Sequence, residues 1–261
     1  MLSNRRNQST FLFRETAAIV PKTIFIASEG FVTENSYLEV LKKSFEGVGE
    51  KVKIISVKNI LCEDLKEKVE KETEQELREK YTEEIEKIRT GSNPKRTLQC
   101  IELYKEKNED KYDFKNHPDD EFWLILDIDH HLEEDFKDEW EEVLKNGEMK
   151  GYKFAISNPF FEVWLLLHHD ELKEKDREMS VNLVNRYKSE FKSHYKTRLK
   201  EVGAKLKNKK VVYGHYDAKK VKDAIERAKI IDSSEEKYPL TAGSTVYRLV
   251  EKIVEISDKL A

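Results

Sequence analysis

Along the first two thirds of the chain, short apolar runs alternate with segments whose apolar residues recur every three or four positions. "KTIFIAS" (residues 22–28), bounded by Pro21 and Gly30, has the Ile and Phe content of a buried strand. "KVKIISV" (51–57), "EFWLILD" (121–127) and "YKFAIS" (152–157) repeat the pattern. Thr33 is placed to cap a helix carrying Tyr37, Leu38, Leu41 and Phe45 at helical spacing. A second helical pattern, about 133–145, separates the third and fourth runs. Strand and helix in alternation predict an α/β fold of parallel βαβ units with right-handed crossovers.

Residues 63–89 are mostly Glu and Lys, with Leu65, Val69, Leu77, Tyr81, Ile85 and Ile88 as sparse apolar positions. Without Pro or Gly, they predict one long helix whose charges pair along a solvated surface. "TGSNP" (90–94) breaks it, a shorter helix follows over 96–106, and 116–120 form a polar turn. In "SNPFFEVWLLLHH" (157–169), Asn158 is a candidate cap and Pro159 suits a first helical position. Phe160, Val163, Trp164 and Leu167 then share one face. Further helices are predicted over 180–200, 217–230 and 244–259, with no internal repeat.

At 261 residues the chain has room for a substantial core. A charged fraction of 38% invites a reading of disorder, but 10% aromatics opposes it. Two cysteines, Cys62 and Cys100, exclude a disulfide framework and a four-thiolate zinc site. The polar start "MLSNRRNQST" and the interruption by Arg14 and Glu15 predict neither signal peptide nor membrane span, hence a soluble cytoplasmic protein. Charge is polarised: residues 186–222 hold 13 Lys/Arg against 3 Asp/Glu, while 133–148 hold 8 acids against 2 bases. The basic stretch suits a polyanion.

Two of the predicted strands end in acids. Asp127 and Asp129, two apart on a strand, would point to one side, and Glu29 follows a neighbouring strand within reach. Open parallel sheets bind ligands at the carboxyl ends of their strands. Three close carboxylates repel unless a cation or a shared proton intervenes. Oxygen ligands without thiolates favour Mg²⁺ or Mn²⁺, which suits metal-assisted phosphodiester cleavage. The plainer reading makes such acids caps and turn formers, and for Asp129 alone it is the better one. Glu162, in the first turn of the helix after the fourth strand, is a fourth candidate ligand. There the helix dipole is a sufficient explanation of a carboxylate.

"IFIASEGFVTENSYL", "FWLILDIDHH", "AISNPFFEVWLLLHH" and "STVYRLVEKI" resemble, in order, the motifs of the RloB-like family. The first two are also similar to the Glu-Gly and Asp-x-Asp motifs of the Toprim fold of topoisomerases, primases and overcoming-lysogenization-defect nucleases. The resemblance implies a Toprim-like (Rossmann-like) core, Mg²⁺-dependent nuclease activity and a role in antiviral defence beside an RloA-like ATPase. It gives Glu29 a general acid/base or metal role, Gly30 the place where the backbone turns beneath it, and Asp127 and Asp129 the metal. Family members commonly read Gly-Glu-Lys-Thr-Glu where this chain has Gly30-Phe31-Val32-Thr33-Glu34. That departure spares the metal ligands and alters the phosphate side.

The remaining polar residues divide. His130 and His131 follow the Asp pair, where imidazole is suited to proton transfer but equally to opening a loop. His168 and His169 end an apolar helix and read as partners of its dipole. Among the basic residues, Lys196, Arg198, Lys200, Lys207, Lys209 and Lys210 are the candidate nucleic-acid contacts, with Lys205 among them and Lys219, Lys220 and Arg248 weaker. Tyr187, Phe191, Tyr195, Tyr213 and Tyr216 are interleaved, as on a base-stacking surface. Leu183, Val184, Tyr187 and Phe191, however, share a face that suits a core.

The expected organisation is a Toprim-like core over 20–170 with a helical insertion at about 60–112, then a helical, basic subdomain over 171–261. The expected function is a Mg²⁺-dependent endonuclease acting on RNA or DNA through Glu29, Asp127, Asp129 and Glu162. The alternative is a non-catalytic module regulating the ATPase. A primase would need a nucleotide site, and a nicking-closing enzyme a nucleophilic tyrosine, that the sequence does not display.

Overall fold

Ile24–Ser28 are buried along their whole length, and burial on both faces puts this segment inside a sheet. The computed structural model describes residues 23–55, 57–90, 93–129, 131, 134–181, 188–232 and 237–259. The strands are β1 (Ile24–Ser28), β2 (Val52–Ile55), β3 (Glu121–Asp127), β4 (Lys153–Asn158) and β5 (Gly243–Ser244). They lie in the order β2-β1-β3-β4-β5. The first four are parallel, and β5 runs antiparallel to β4.

Successive side chains point to opposite faces. Ile24, Ile26, Trp123, Ile125 and Ala155 enter one apolar cluster, and Phe25, Ala27, Phe122, Leu124 and Ile156 the other. Phe25 and Phe122, paired across β1 and β3, stack with centroids 4.9 Å apart. Helices must cover both faces, and among the described residues eleven do. They are α1 (Thr33–Ser44), α2 (Val48–Lys51), α3 (Val57–Lys71), α4 (Gln75–Thr90), α5 (Pro94–Tyr112) and α6 (Glu134–Met149), then α7 (Phe161–Leu167), α8 (Glu174–Val181), α9 (Lys188–Glu201), α10 (Ala218–Ile231) and α11 (Val246–Asp258). The α/β class and the mostly parallel sheet agree with a Toprim-like fold.

The expected single helix over 63–89 is two, α3 and α4, packed on each other. Its break is local chemistry: the Glu72 carboxylate accepts from the backbone N–H of Thr73 (2.8 Å) and Glu74 (3.0 Å), taking donors a continuing helix would use. Ile85 and Ile88 of the sparse apolar set are not solvated either. Leu61, Ile85 and Ile88 join the second cluster with Leu98 and Ile101 of α5. Asn93 caps α5, its side chain accepting from Arg96 N.

The block "PFFEVWLLL" also exceeds its expected one-sided amphipathicity, because every residue of α7 is buried. A helix apolar all round belongs inside the molecule. Asn158 does not cap it; Asn158 closes β4 and donates to Pro239 O (2.8 Å). Nor do residues 171–261 stand apart. β5 extends the sheet, and Val246, Leu249, Val250 and Ile253 of α11 share the cluster of Ile24 and Trp123. Among the described residues no helix is long and apolar enough to cross a membrane.

Candidate functional site

The chain goes from β1 outward to β2, then crosses back to β3, so the connections leaving β1 and β3 diverge. Such a switch point opens a crevice at the carboxyl ends of the strands. Glu29 and Asp127 stand on either side of it. Glu29 follows β1 directly, its N–H donating to Ile125 O (3.0 Å). Ser28 Oγ bonds Gly30 O (2.7 Å) and Asn35 Oδ1 (2.9 Å), and Asn35 Nδ2 donates to Phe31 O (3.2 Å). These bonds fasten the loop to the first turn of α1.

Thr33, expected as a cap, is instead the first residue of α1, with Val32 at the cap position. Glu34 follows in the same turn and is buried. A Cβ built on Gly30 would overlap the Glu34 carboxylate. Gly30 is thus required for the room it leaves to Glu34, not for a left-handed backbone.

The aspartates share a side for a reason other than strand alternation. β3 ends at Asp127, and Asp129 has φ of 45° in the left-handed region that Asp tolerates. Ile128 N donates to Ser157 O (2.9 Å) and Asp129 N to Pro159 O (3.0 Å), while Ile128 itself enters the core. Glu162, buried in the first turn of α7, completes the group. Glu29, Glu34, Asp127, Asp129 and Glu162 line one cleft of about 1040 Å³.

Burial pushes the Asp127 carboxyl well above the usual carboxylate range, and the charges of Glu34, Glu29, Glu162 and Asp129 push it further. Glu29 Oε2 and Asp127 Oδ1 are buried without a hydrogen-bond partner among the described residues. Buried acceptors left so are costly, and a cation between them would relieve both the desolvation and the repulsion. Among the described residues no trio of His, Cys, Asp or Glu side chains is arranged to hold a metal ion as it stands. Mg²⁺ asks for less: one or two protein carboxylates, the rest of its shell being water and phosphate. The all-oxygen donor set and the two orphaned oxygens fit that ion.

His131 is buried and stacks on Trp140, centroids 5.4 Å apart, with Nε2 3.9 Å from Glu29 Oε1. His130 lies outside the described residues. His168 is not a charged dipole partner: burial holds its pKa down to about 3. Its Nδ1–H donates to Trp164 O (2.9 Å), leaving Nε2 to accept from Tyr37 Oη (3.0 Å). Burial likewise brings His169 down to about 4.

The same cleft also has basic lining. Lys196, Lys200, Lys205 and Lys209 line it. Lys207 and Lys210 bridge a tight turn whose central residues, Asn208 and Lys209, have φ of 52° and 63°, a mirror-type hairpin. All six are exposed and none makes an ion pair with a described carboxylate. Arg198 departs from its expected role. It is buried and holds Asp170 (2.8 Å), Glu201 (3.0 Å) and Asp176 (3.4 Å), so its guanidinium fixes α9 to the segment before it. Lys220 donates to His215 O, and Arg248 pairs with Asp232 (2.7 Å). Tyr195 and Tyr216 are core, and Leu183, Val184 and Tyr187 lie outside the described residues.

Glu34 is the site residue that sequence reasoning passed over. Its signal was the retained Thr33-Glu34 pair four residues after Gly30, which one helical turn folds back over the glycine. A family model described as RloB-like protein matches residues 24–253. No curated protein and no solved structure matches the chain.

Proposed function

The chain belongs to the RloB-like family, and on that premise we propose that it is a nuclease hydrolysing phosphodiester bonds of RNA or DNA with Mg²⁺ or Mn²⁺. One observation carries the reading: five carboxylates, two with orphaned buried oxygens, line the same cleft as four exposed lysines that pair with no carboxylate among the described residues. Acids alone would suit a cation and lysines alone a polyanion. Together they suit a cation that works on a polyanion.

One or two of Asp127, Asp129, Glu162 and Glu34 would ligate the ion directly, and the others would hold its waters. Once bound, it supplies Lewis acidity to the phosphate and water of lowered pKa. Glu29, whose Oε2 faces no protein donor, takes the proton of the attacking water. A new phosphorus–oxygen bond forms, the ester bond opposite breaks, and the leaving oxygen gains a proton. Lys196, Lys200, Lys205 and Lys209 hold the flanking phosphates. Cooperation with an RloA-like ATPase in antiviral defence, in the cytoplasm, is part of the proposal. The sequence has no phosphate-cradling P-loop, so ATP hydrolysis would belong to the other chain.

A second reading draws support from the burial and neighbouring acids that favour a protonated Asp127. In it Asp127 keeps its proton and the cleft receives a basic segment of the ATPase without chemistry. Purified protein, alone and with that ATPase, incubated with labelled DNA and total RNA in Mg²⁺ or chelator, separates the two. Magnesium-dependent cleavage that Glu29→Gln abolishes supports the nuclease. Absence of cleavage, with ATPase binding indifferent to chelator, supports the module.

A further inference from the structure

Beyond the lysine turn, Tyr213 is the one tyrosine more than half exposed among the described residues. Tyr195 and Tyr216 are fully buried, whereas Tyr213 is 54% exposed. The backbone on either side of it is tied to α1. Thr33 Oγ1 donates to Lys209 O (2.9 Å), Ser36 Oγ accepts from Val211 N (2.9 Å), and Ser44 Oγ donates to Tyr216 O (3.3 Å). At 100° per residue these three anchors lie on one side of α1, spread over about 16 Å. The segment 209–216 therefore runs along the helix away from the acids, with Tyr213 midway.

The backbone that carries the ring is held by a short turn, in which His215 N donates to Val212 O (3.1 Å) and Tyr216 N to Tyr213 O (3.3 Å). Next to it, nothing lies within 4 Å of where a Cβ of Gly214 would stand. Four residues separate Tyr213 from Lys209 in the cleft wall, at most about 14 Å of chain. A nucleic-acid strand leaving the cleft past Lys209 covers that distance in a few nucleotides.

We propose that Tyr213 is a base-stacking platform, so that the strand entering the cleft is taken in single-stranded form. The inference rests on the reading of the cleft as a nucleic-acid site and adds the state of its substrate. Lysines hold phosphates in either form, but a paired base is already stacked on both faces, while an unpaired one offers a face to an aromatic ring. Exposure and a hydrogen-bonded backbone together make the ring useful: stacking costs little main-chain freedom where the backbone is already held.

The test is fluorescence anisotropy with a short labelled single strand and the same sequence as duplex, in Ca²⁺ to suppress cleavage. Tyr213→Ala should weaken single-strand binding about tenfold and leave duplex binding unchanged, Tyr213→Phe should match the wild type, and Lys209→Ala should weaken both forms. Unchanged single-strand affinity in Tyr213→Ala, beside a loss in Lys209→Ala, overturns the stacking role and leaves the cleft reading intact. Binding of neither form by the wild type overturns both.

Discussion

The Glu34 carboxylate fills the space beside the Gly30 α-carbon, so the smallest residue of the first loop sets where an acid of the first helix stands. Because Glu34 ends in flexible bonds, Gly30→Ala displaces that carboxylate and spares the backbone. Magnesium-dependent cleavage should fall about 10- to 100-fold, as for other residues that orient a metal site. Glu34→Ala should fall equally, and the double variant no further. Steady-state rates beside circular dichroism check this; additive losses contradict it.

Asp127 should make stability depend on pH and on metal. Its folded-state pKa is raised, so the protonated form favours the native state. The metal-free protein should lose stability as pH rises from the ordinary carboxylate range through that raised value. Asp127→Asn should melt higher than the wild type at neutral pH without metal. Magnesium at 100 times its dissociation constant should stabilise the wild type by about 2.7 kcal/mol and the variant much less. Thermal melts across pH, with Mg²⁺ and with chelator, read out both effects.

Arg198 and Lys200, two residues apart on α9, should behave oppositely. Arg198→Ala leaves Asp176, 1% exposed, short of a cationic partner, although His194 Nε2 remains at 2.5 Å. A cost of about 3 kcal/mol is expected in urea unfolding. Lys200→Ala, on the cleft wall, should leave the unfolding midpoint unchanged and reduce the salt dependence of nucleic-acid binding.

His168 predicts acid sensitivity. Its pKa is about 3 in the folded protein against an ordinary 6.5, so the native state requires the neutral ring. The stability it contributes is complete above about pH 6.5 and is lost as pH falls toward 3, at about 1.4 kcal/mol per unit. His168→Gln should flatten the decline in urea stability between about pH 7 and about pH 5, with His169 accounting for the remaining slope.

Sequence patterning reached the parallel core because β1, β3 and β4 are dense apolar runs with no competing signal. It failed at residues 63–89, where the break between α3 and α4 contains neither Pro nor Gly and rests on one carboxylate, Glu72, bonding two backbone amides. At the cleft, Glu29, Asp127 and Asp129 were legible as acids after apolar strands. The pairing of Asp127 with Asp129 was reached through a strand that in fact stops at Asp127, two residues short of what that geometry needs. Glu34 was not legible, because its part depends on a helical turn laid over Gly30. Arg198 and Lys200 look alike in a basic stretch, and only the neighbours Asp170 and Asp176 turn one of them inward.

The claim that acids at the end of β3 and on α1 and α7 hold a catalytic cation is tested most directly by calorimetric titration of Mg²⁺ into the metal-free protein and into Asp127→Asn. Saturable binding by the wild type, lost in the folded variant, is the predicted result. A wild-type protein that takes up no Mg²⁺ or Mn²⁺, or a variant that binds them as tightly, would contradict it.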